Sequence, residues 1–149
     1  MEGIRIFEVT EAREEYVDVV NRLLVQLSSS PSTFTYEHLA RIAGSSSTHL
    51  FFAEYDGVVA GMLTLGVYDA PTGCKMWIED VVVDAAMRGH SLGRMLVEHA
   101  IAIAGKMGGG TLMLTSRPSR IVANALYRSC GFEPKETNMY RMPIDAGQA

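Results

Sequence analysis

The hydrophobic pattern of the chain changes period several times. Ile4-Arg5-Ile6-Phe7-Glu8-Val9 roughly alternates and predicts a first strand. Thr10 is placed to cap a helix, with Glu11, Glu14 and Glu15 where the helix dipole favours acids. Tyr16, Val20, Leu23, Leu24 and Leu27 then recur at helical spacing, giving an amphipathic helix that Ser28-Ser29-Ser30-Pro31-Ser32 ends. A shorter helix from Tyr36 to Ile42 follows, closed by Gly44 and the serines 45–47. Leu50 to Tyr55 and Val58 to Val67 are two strands joined at Asp56-Gly57, a strong two-residue hairpin signal. A loop, Asp69-Ala70-Pro71-Thr72-Gly73, leads into the central strand Met76 to Val83, whose Val81-Val82-Val83 run gives no polar face to turn toward water.

The next helix carries Leu92, Met95, Leu96 and Ile103 on one face. Val97, Ala100, Ile101 and Ala104 nearly wrap it, and Gly108-Gly109-Gly110 stops it. Thr111 to Thr115 is a further buried strand. Pro118 or Ser119 opens a helix that Gly131 terminates at its C′ position, and Thr137 to Met142 forms a last strand. The expected order is β-α-α-β-β-β-α-β-α-β: an α/β domain spanning 1–149, antiparallel hairpins first and then a right-handed parallel crossover.

Composition narrows the classes of function. With 149 residues, 48% of them hydrophobic, the chain is long enough for a real core. A net charge of −4 argues against nucleic acid, which needs concentrated Lys and Arg. Cys74 and Cys130 imply no disulfide framework, and no apolar run approaches membrane-spanning length, so a cytoplasmic protein without a membrane partner is expected. His38, His49, His90 and His99 show no metal-ligand spacing, so no metal is expected. There is no phosphate-binding Gly-x-x-x-x-Gly-Lys-Ser/Thr and no Gly-x-Ser-x-Gly elbow.

What remains is one strand–turn–helix unit. Arg88, Gly89, His90, Ser91, Leu92 and Gly93 lie where a helix starts, and unpaired amides with partial positive charge there suit phosphate. Glycines in a plain loop give the same residues. Glu79 and Asp80 sit just upstream. In a regular strand they point to opposite faces, unless a bulge re-aims one of them, and solvated or ion-paired carboxylates are the other reading. Arg120, Asn124 and Tyr127 line one stripe of the last helix, where Tyr127 is either a site phenol or a core tyrosine. Arg117 and Arg120 either hold an anion or are solvated.

Two motifs carry a family resemblance. Val81-Val82-Val83-Asp84-x-x-x-Arg88-Gly89-His90-Ser91-Leu92-Gly93 resembles the acyl-CoA-binding motif of the GNAT superfamily of N-acetyltransferases, with Ser91 where the middle glycine usually stands. Asn124-Ala125-Leu126-Tyr127-Arg128-Ser129-Cys130-Gly131-Phe132 is similar to the family's Asn-x-x-x-Tyr-x-x-x-Gly-Phe ending. Ile78 to Val83 is also similar to the matching segment of glucosamine-6-phosphate N-acetyltransferases.

The resemblance implies a sheet splayed at its centre, acetyl-CoA as acyl donor, an amine acceptor and a homodimer. It implies that the turn from Arg88 through Arg94 wraps the coenzyme pyrophosphate. Backbone groups of Val81, Val82 and Val83 then bond the pantetheine amides, and Asn124 touches the arm. Tyr127 is implied as general acid for the departing thiolate, with Glu79, then Asp80, as base or acceptor binder. Cys130 reads as packed and inert. A positive φ at Ser91 would store strain. A non-catalytic acyl-CoA-binding module and transfer to a protein amine are the alternatives. Acceptor choice falls to Ser28–Thr48 and Asp69–Lys75, which carry no diagnostic motif.

Overall fold

The computed structural model describes residues 3–147. Five strands form one sheet in sequence order: β1 (Ile4–Glu8), β2 (Thr48–Tyr55), β3 (Val58–Ala70), β4 (Gly73–Val83) and β5 (Thr111–Met113). All neighbours are antiparallel except β4 and β5, which run parallel. Between them lie α1 (Glu14–Leu27), α2 (Tyr36–Ala43), a 3-10 turn (Ala85–Met87), α3 (Leu92–Lys106) and α4 (Ile121–Ser129). The Asp56-Gly57 hairpin forms as its residues require, with φ of 47° and 84° at the two positions.

Both sheet faces are covered, so strands without a polar side are stable here. Phe51, Leu63, Leu65, Met76 and Ile78 pack with Leu92, Leu96, Val97 and Ala100 of α3. On the other face Leu50, Phe52, Met62 and Val82 pack with Val17, Val20 and Leu23 of α1 and Leu39 of α2. The adjacent Phe51 and Phe52 therefore supply one ring to each layer, as the period of two dictates.

The elements depart from expectation at five places, the first being β5, which ends at Met113 short of the expected Thr115. Helix α1 begins at Glu14 with Arg13 in the cap position, not at Thr10, because the Val9 amide is still held by the Leu50 carbonyl at 2.8 Å and keeps the chain extended. Glu14 and Glu15 do occupy its first turn. The stretch Asp69–Gly73 is not a loop: Asp69 pairs with Cys74 and Ala70 with Gly73, leaving only Pro71 and Thr72 to turn. Helix α4 starts at Ile121, since Pro118 and Ser119 lie in a turn closed by the Arg120 amide on the Arg117 carbonyl. The strand expected over Thr137–Met142 is absent. Those residues are irregular and exposed, and a segment with strand-forming residues becomes a strand only where an edge accepts its hydrogen bonds.

The C-terminus of α4 closes as its sequence requires. The Phe132 amide bonds the Tyr127 carbonyl at 3.1 Å and the Gly131 amide bonds Arg128 at 3.0 Å, with Gly131 at φ 104°. This is the paired closure that a glycine at C′ permits. The Phe132 ring packs edge-on against Tyr127 at 6.2 Å, which fixes the ring of Tyr127 from one side. Among the described residues no helix is long and apolar enough to cross a membrane.

Candidate active site

The site begins with an irregularity in β4. Thr64 pairs with Glu79 and Met62 with Val82, so Leu63 alone stands opposite both Asp80 and Val81. This is a β-bulge, and Asp80 takes a φ of 51° to make it. The extra residue flips the faces. Met76 and Ile78 pack under α3 before it, whereas Val81 and Val83 pack there after it and Val82 turns to the α1 layer. Glu79 and Asp80 are thereby brought to the same opening instead of opposite sides of the sheet.

That opening is where the sheet parts. The β4–β5 ladder covers only Lys75–Thr111, Met76–Leu112 and Trp77–Met113. Beyond Trp77 the edge of β4 facing β5 has no strand partner among the described residues. A cavity of about 170 Å³ opens there, lined by Ile78, Glu79, Asp80 and Val81 from β4, Leu114 and Thr115 after β5, Leu27 from α1, and Arg120 and Tyr127 from α4. One phenol and two carboxylates therefore share one small cavity.

Their proton affinities follow from that space. Burial pushes the Glu79 carboxyl up, and the neighbouring Asp80 charge pushes it the same way. Burial likewise raises the Tyr127 phenol above its ordinary value near 10, with Arg120 across the cavity pulling back. Tyr127 thus keeps its proton at neutral pH, while Glu79 holds one to a higher pH than an ordinary carboxylate.

Asn124 is placed differently. Its amide nitrogen donates to the Arg117 carbonyl at 3.0 Å, which ties the loop after β5 onto α4. It does not line the cavity that Tyr127 lines. Of the two arginines ahead of α4, Arg120 reaches the cavity and Arg117 does not.

The turn after β4 is held from outside. Asp84 Oδ1 accepts from the Ala86 amide at 3.0 Å, and Gln26 Oε1 of α1 accepts from the Ala85 amide at 2.8 Å. Arg22 of α1 lies 3.8 Å from Asp84 and donates to the Val59 carbonyl. Past these anchors, the amides from Arg88 to Arg94 have no hydrogen-bond partner among the described residues. Buried Leu92 pins the start of α3 to the core. Gly93 brings it close to Leu126 of α4 and to Val83. His90 packs against the Tyr55 ring at 4.4 Å. The Arg94 guanidinium is engaged with Ser129 Oγ at 2.5 Å and Glu98 at 3.5 Å, so its side chain braces α3 against α4. Half-buried Cys130 lies 3.6 Å from the same guanidinium.

Ser91 adopts the left-handed conformation, φ 61° and ψ 23°, and its side chain makes no capping bond. A residue with a Cβ held there stores about 1 kcal/mol. Ser91→Gly is therefore expected to stabilise the fold by somewhat less than about 1 kcal/mol, because glycine also frees the unfolded chain. A rise in the urea midpoint checks this; a fall would mean that the hydroxyl contributes more than the strain.

A second, larger cavity of about 530 Å³ adjoins the first. It is lined by Ser47, Thr48, Gly66, Val67, Tyr68, Trp77, Glu79 and Met139, so Glu79 borders both spaces. Sequence reasoning missed this wall. The signal was the lone tryptophan of the chain, two residues before Glu79 on the same strand and hence on the same face. Among the described residues no group of three or more His, Cys, Asp or Glu is placed to hold a metal ion.

Comparison with known proteins agrees with this geometry. The profile of the acetyltransferase (GNAT) family matches residues 13–132. A probable glucosamine 6-phosphate N-acetyltransferase 2 of Oryza sativa subsp. japonica is 30% identical over 152 residues, covering 91% of this chain and 84% of the relative. Among solved structures, an aminoglycoside acetyltransferase from an uncultured soil metagenomic sample superposes with a TM-score of 0.82 at 19% identity, covering 95% of this chain and 97% of that one. Glucosamine-6-phosphate N-acetyltransferase from Arabidopsis thaliana superposes with a TM-score of 0.74 at 25% identity, covering 95% and 99%.

Proposed function

The chain belongs to the acetyltransferase (GNAT) family, and from that premise we propose that it moves an acetyl group from acetyl-CoA to a primary amine of a small molecule, by direct attack with both bound. The observation that carries this reading is the bulge at Asp80, which gathers Glu79, Asp80 and Tyr127 around one cavity at the parting of the sheet.

The residues fit the coenzyme. The unpaired amides of Arg88–Arg94 offer a diphosphate a fan of donors at a helix start. The free edge of β4 at Val81, Val82 and Val83 offers an amide-bearing arm the bonds that a neighbouring strand would otherwise make. Acetyl-CoA, when bound, supplies the acetyl thioester. The fit of Asn124 is weaker, because its amide is engaged with the Arg117 carbonyl.

The chain's own groups then have distinct tasks. Glu79, bordering both cavities, accepts a proton from the incoming ammonium, directly or through one water, and frees the nitrogen lone pair. Asp80 keeps Glu79 basic by its charge. As the nitrogen–carbon bond forms and the carbon–sulfur bond breaks, the nitrogen gives its second proton to water and Tyr127 donates its phenolic proton to the sulfur, so that free thiol and amide leave. Tyr127 then regains a proton from solvent and Glu79 releases one to it. Holding amine and thioester at one strand irregularity supplies much of the acceleration.

Purified protein incubated with acetyl-CoA and a panel of amines is expected to release free thiol with at least one of them and to bind the coenzyme in calorimetry. Coenzyme binding without thiol release would favour a non-catalytic acyl-CoA-binding module. Neither signal would remove the reading altogether.

A further inference from the structure

The larger cavity has a floor of unusual composition. Thr48 pairs with Gly66 and Gly66 with Trp77, so these residues form one row across β2, β3 and β4. They lie on the face that α1 and α2 cover further along the sheet, beside the cluster of Leu50, Phe52 and Met62. Gly66 is not demanded by its backbone. It does not take a positive φ, and a Cβ built on it would meet nothing within 4 Å. A glycine weakens a strand interior, so its effect here is space: the side chain that would stand between Thr48 and Trp77 is missing. The walls add two flat aromatic groups, Trp77 and Tyr68, and the apolar Val67 and Met139.

Charge completes the description. Glu79 is the single ionisable carboxylate of the lining, and none of the lining residues is basic. Lys75 shares the face of Trp77 two register positions further on, paired with Tyr68, but does not line the cavity. A phosphate or carboxylate here would sit beside Glu79 with no basic lining residue to offset the repulsion between like charges. An ammonium, in contrast, meets Glu79 and the electron-rich ring faces.

We propose that this cavity selects an acceptor whose amine is borne by a flat or ring-shaped skeleton without phosphate or carboxylate groups, and that the absent side chain at Gly66 admits that skeleton. The assignment rests on the acetyl-transfer reading above and deepens it. It also separates this chain from the specificity that the names of its curated relatives state, since those proteins are called glucosamine 6-phosphate acetyltransferases.

The test measures kcat/KM for glucosamine, 2-phenylethylamine and glucosamine 6-phosphate on the whole protein, with coenzyme affinity by calorimetry. At least one unphosphorylated amine is expected to be preferred over the phosphorylated sugar by about tenfold or more. Gly66→Val is expected to cut kcat/KM for that preferred amine by about tenfold while leaving coenzyme affinity unchanged and Tm no lower than the parent's. Met139→Arg, at a position 71% exposed, is expected to narrow the preference by adding a cation at the rim. A preference for the phosphorylated sugar overturns the acceptor assignment, as does a Gly66→Val protein that turns over like the parent; thiol release would still uphold acetyl transfer. Failure to bind acetyl-CoA or release thiol with any amine overturns acetyl transfer, and the acceptor assignment falls with it. Should Gly66→Val not fold, the amine panel and Met139→Arg decide the matter.

Discussion

Tyr127→Phe is expected to lower kcat by about a hundredfold or more, the usual worth of a positioned proton donor, while coenzyme affinity stays unchanged. The separation follows from how the ring is held. Tyr127 is 7% exposed, packed into the α3 layer and against Phe132, and a phenylalanine keeps those contacts. Only the hydroxyl facing the small cavity is lost. Because burial raises the phenol above 10, the parent enzyme should hold its rate to high pH, and any basic limb assigned to this group should vanish in the variant. Stopped-flow or steady-state release of thiol, with calorimetry for the coenzyme, distinguishes the outcomes. Unchanged turnover would remove Tyr127 from the chemistry and leave it a core residue.

Glu79→Gln carries the second large effect, a fall of about a hundredfold in kcat/KM near neutral pH together with loss of the acidic limb of the pH–rate profile. The parent limb should lie above the ordinary carboxylate range, since burial first and the Asp80 charge second both favour the protonated form. Asp80→Asn removes the second cause, so the limb should move to lower pH. Stability has the opposite sign. The folded pKa lies above the unfolded one, so the cost of ionising Glu79 in the fold is absent at pH below the unfolded value. It grows as pH rises through the folded value and is constant above it. Glu79→Gln should therefore resist urea better than the parent at neutral pH and no better in acid. An unaltered profile with an unaltered KM would transfer the base role to Asp80 or to water.

A carboxylate disfavoured in its own fold, a serine at φ 61° and an aspartate at φ 51° are three local costs along one strand–turn–helix unit. Strain of this kind persists where the surrounding structure over-determines it. Here the determinants are visible: Gln26 and Arg22 hold the turn from α1, and Leu92 anchors the helix in the core.

Much of this was already written in the order of residues. The apolar run of Leu50–Tyr55, the Asp56-Gly57 turn, the helical spacing of Leu92, Leu96 and Ala100, and Gly131 after α4 are local signals with local consequences, and each element formed where its residues placed it. The two motifs likewise carried the family, because a glycine-bearing helix start and a helix ending are each contiguous in the chain. Three things were decided by the tertiary structure alone. The residues of Thr137–Met142 could not reveal that, among the described residues, no sheet edge takes up their hydrogen bonds. The bulge at Asp80 depends on which residue of β3 faces it, a relation between strands, and it sets Glu79 and Asp80 at one opening against the period of a lone strand. The space at Gly66 exists only because Thr48 and Trp77 flank it from two other strands, and neighbours across a sheet are fixed by register, which a sequence read one residue at a time does not contain.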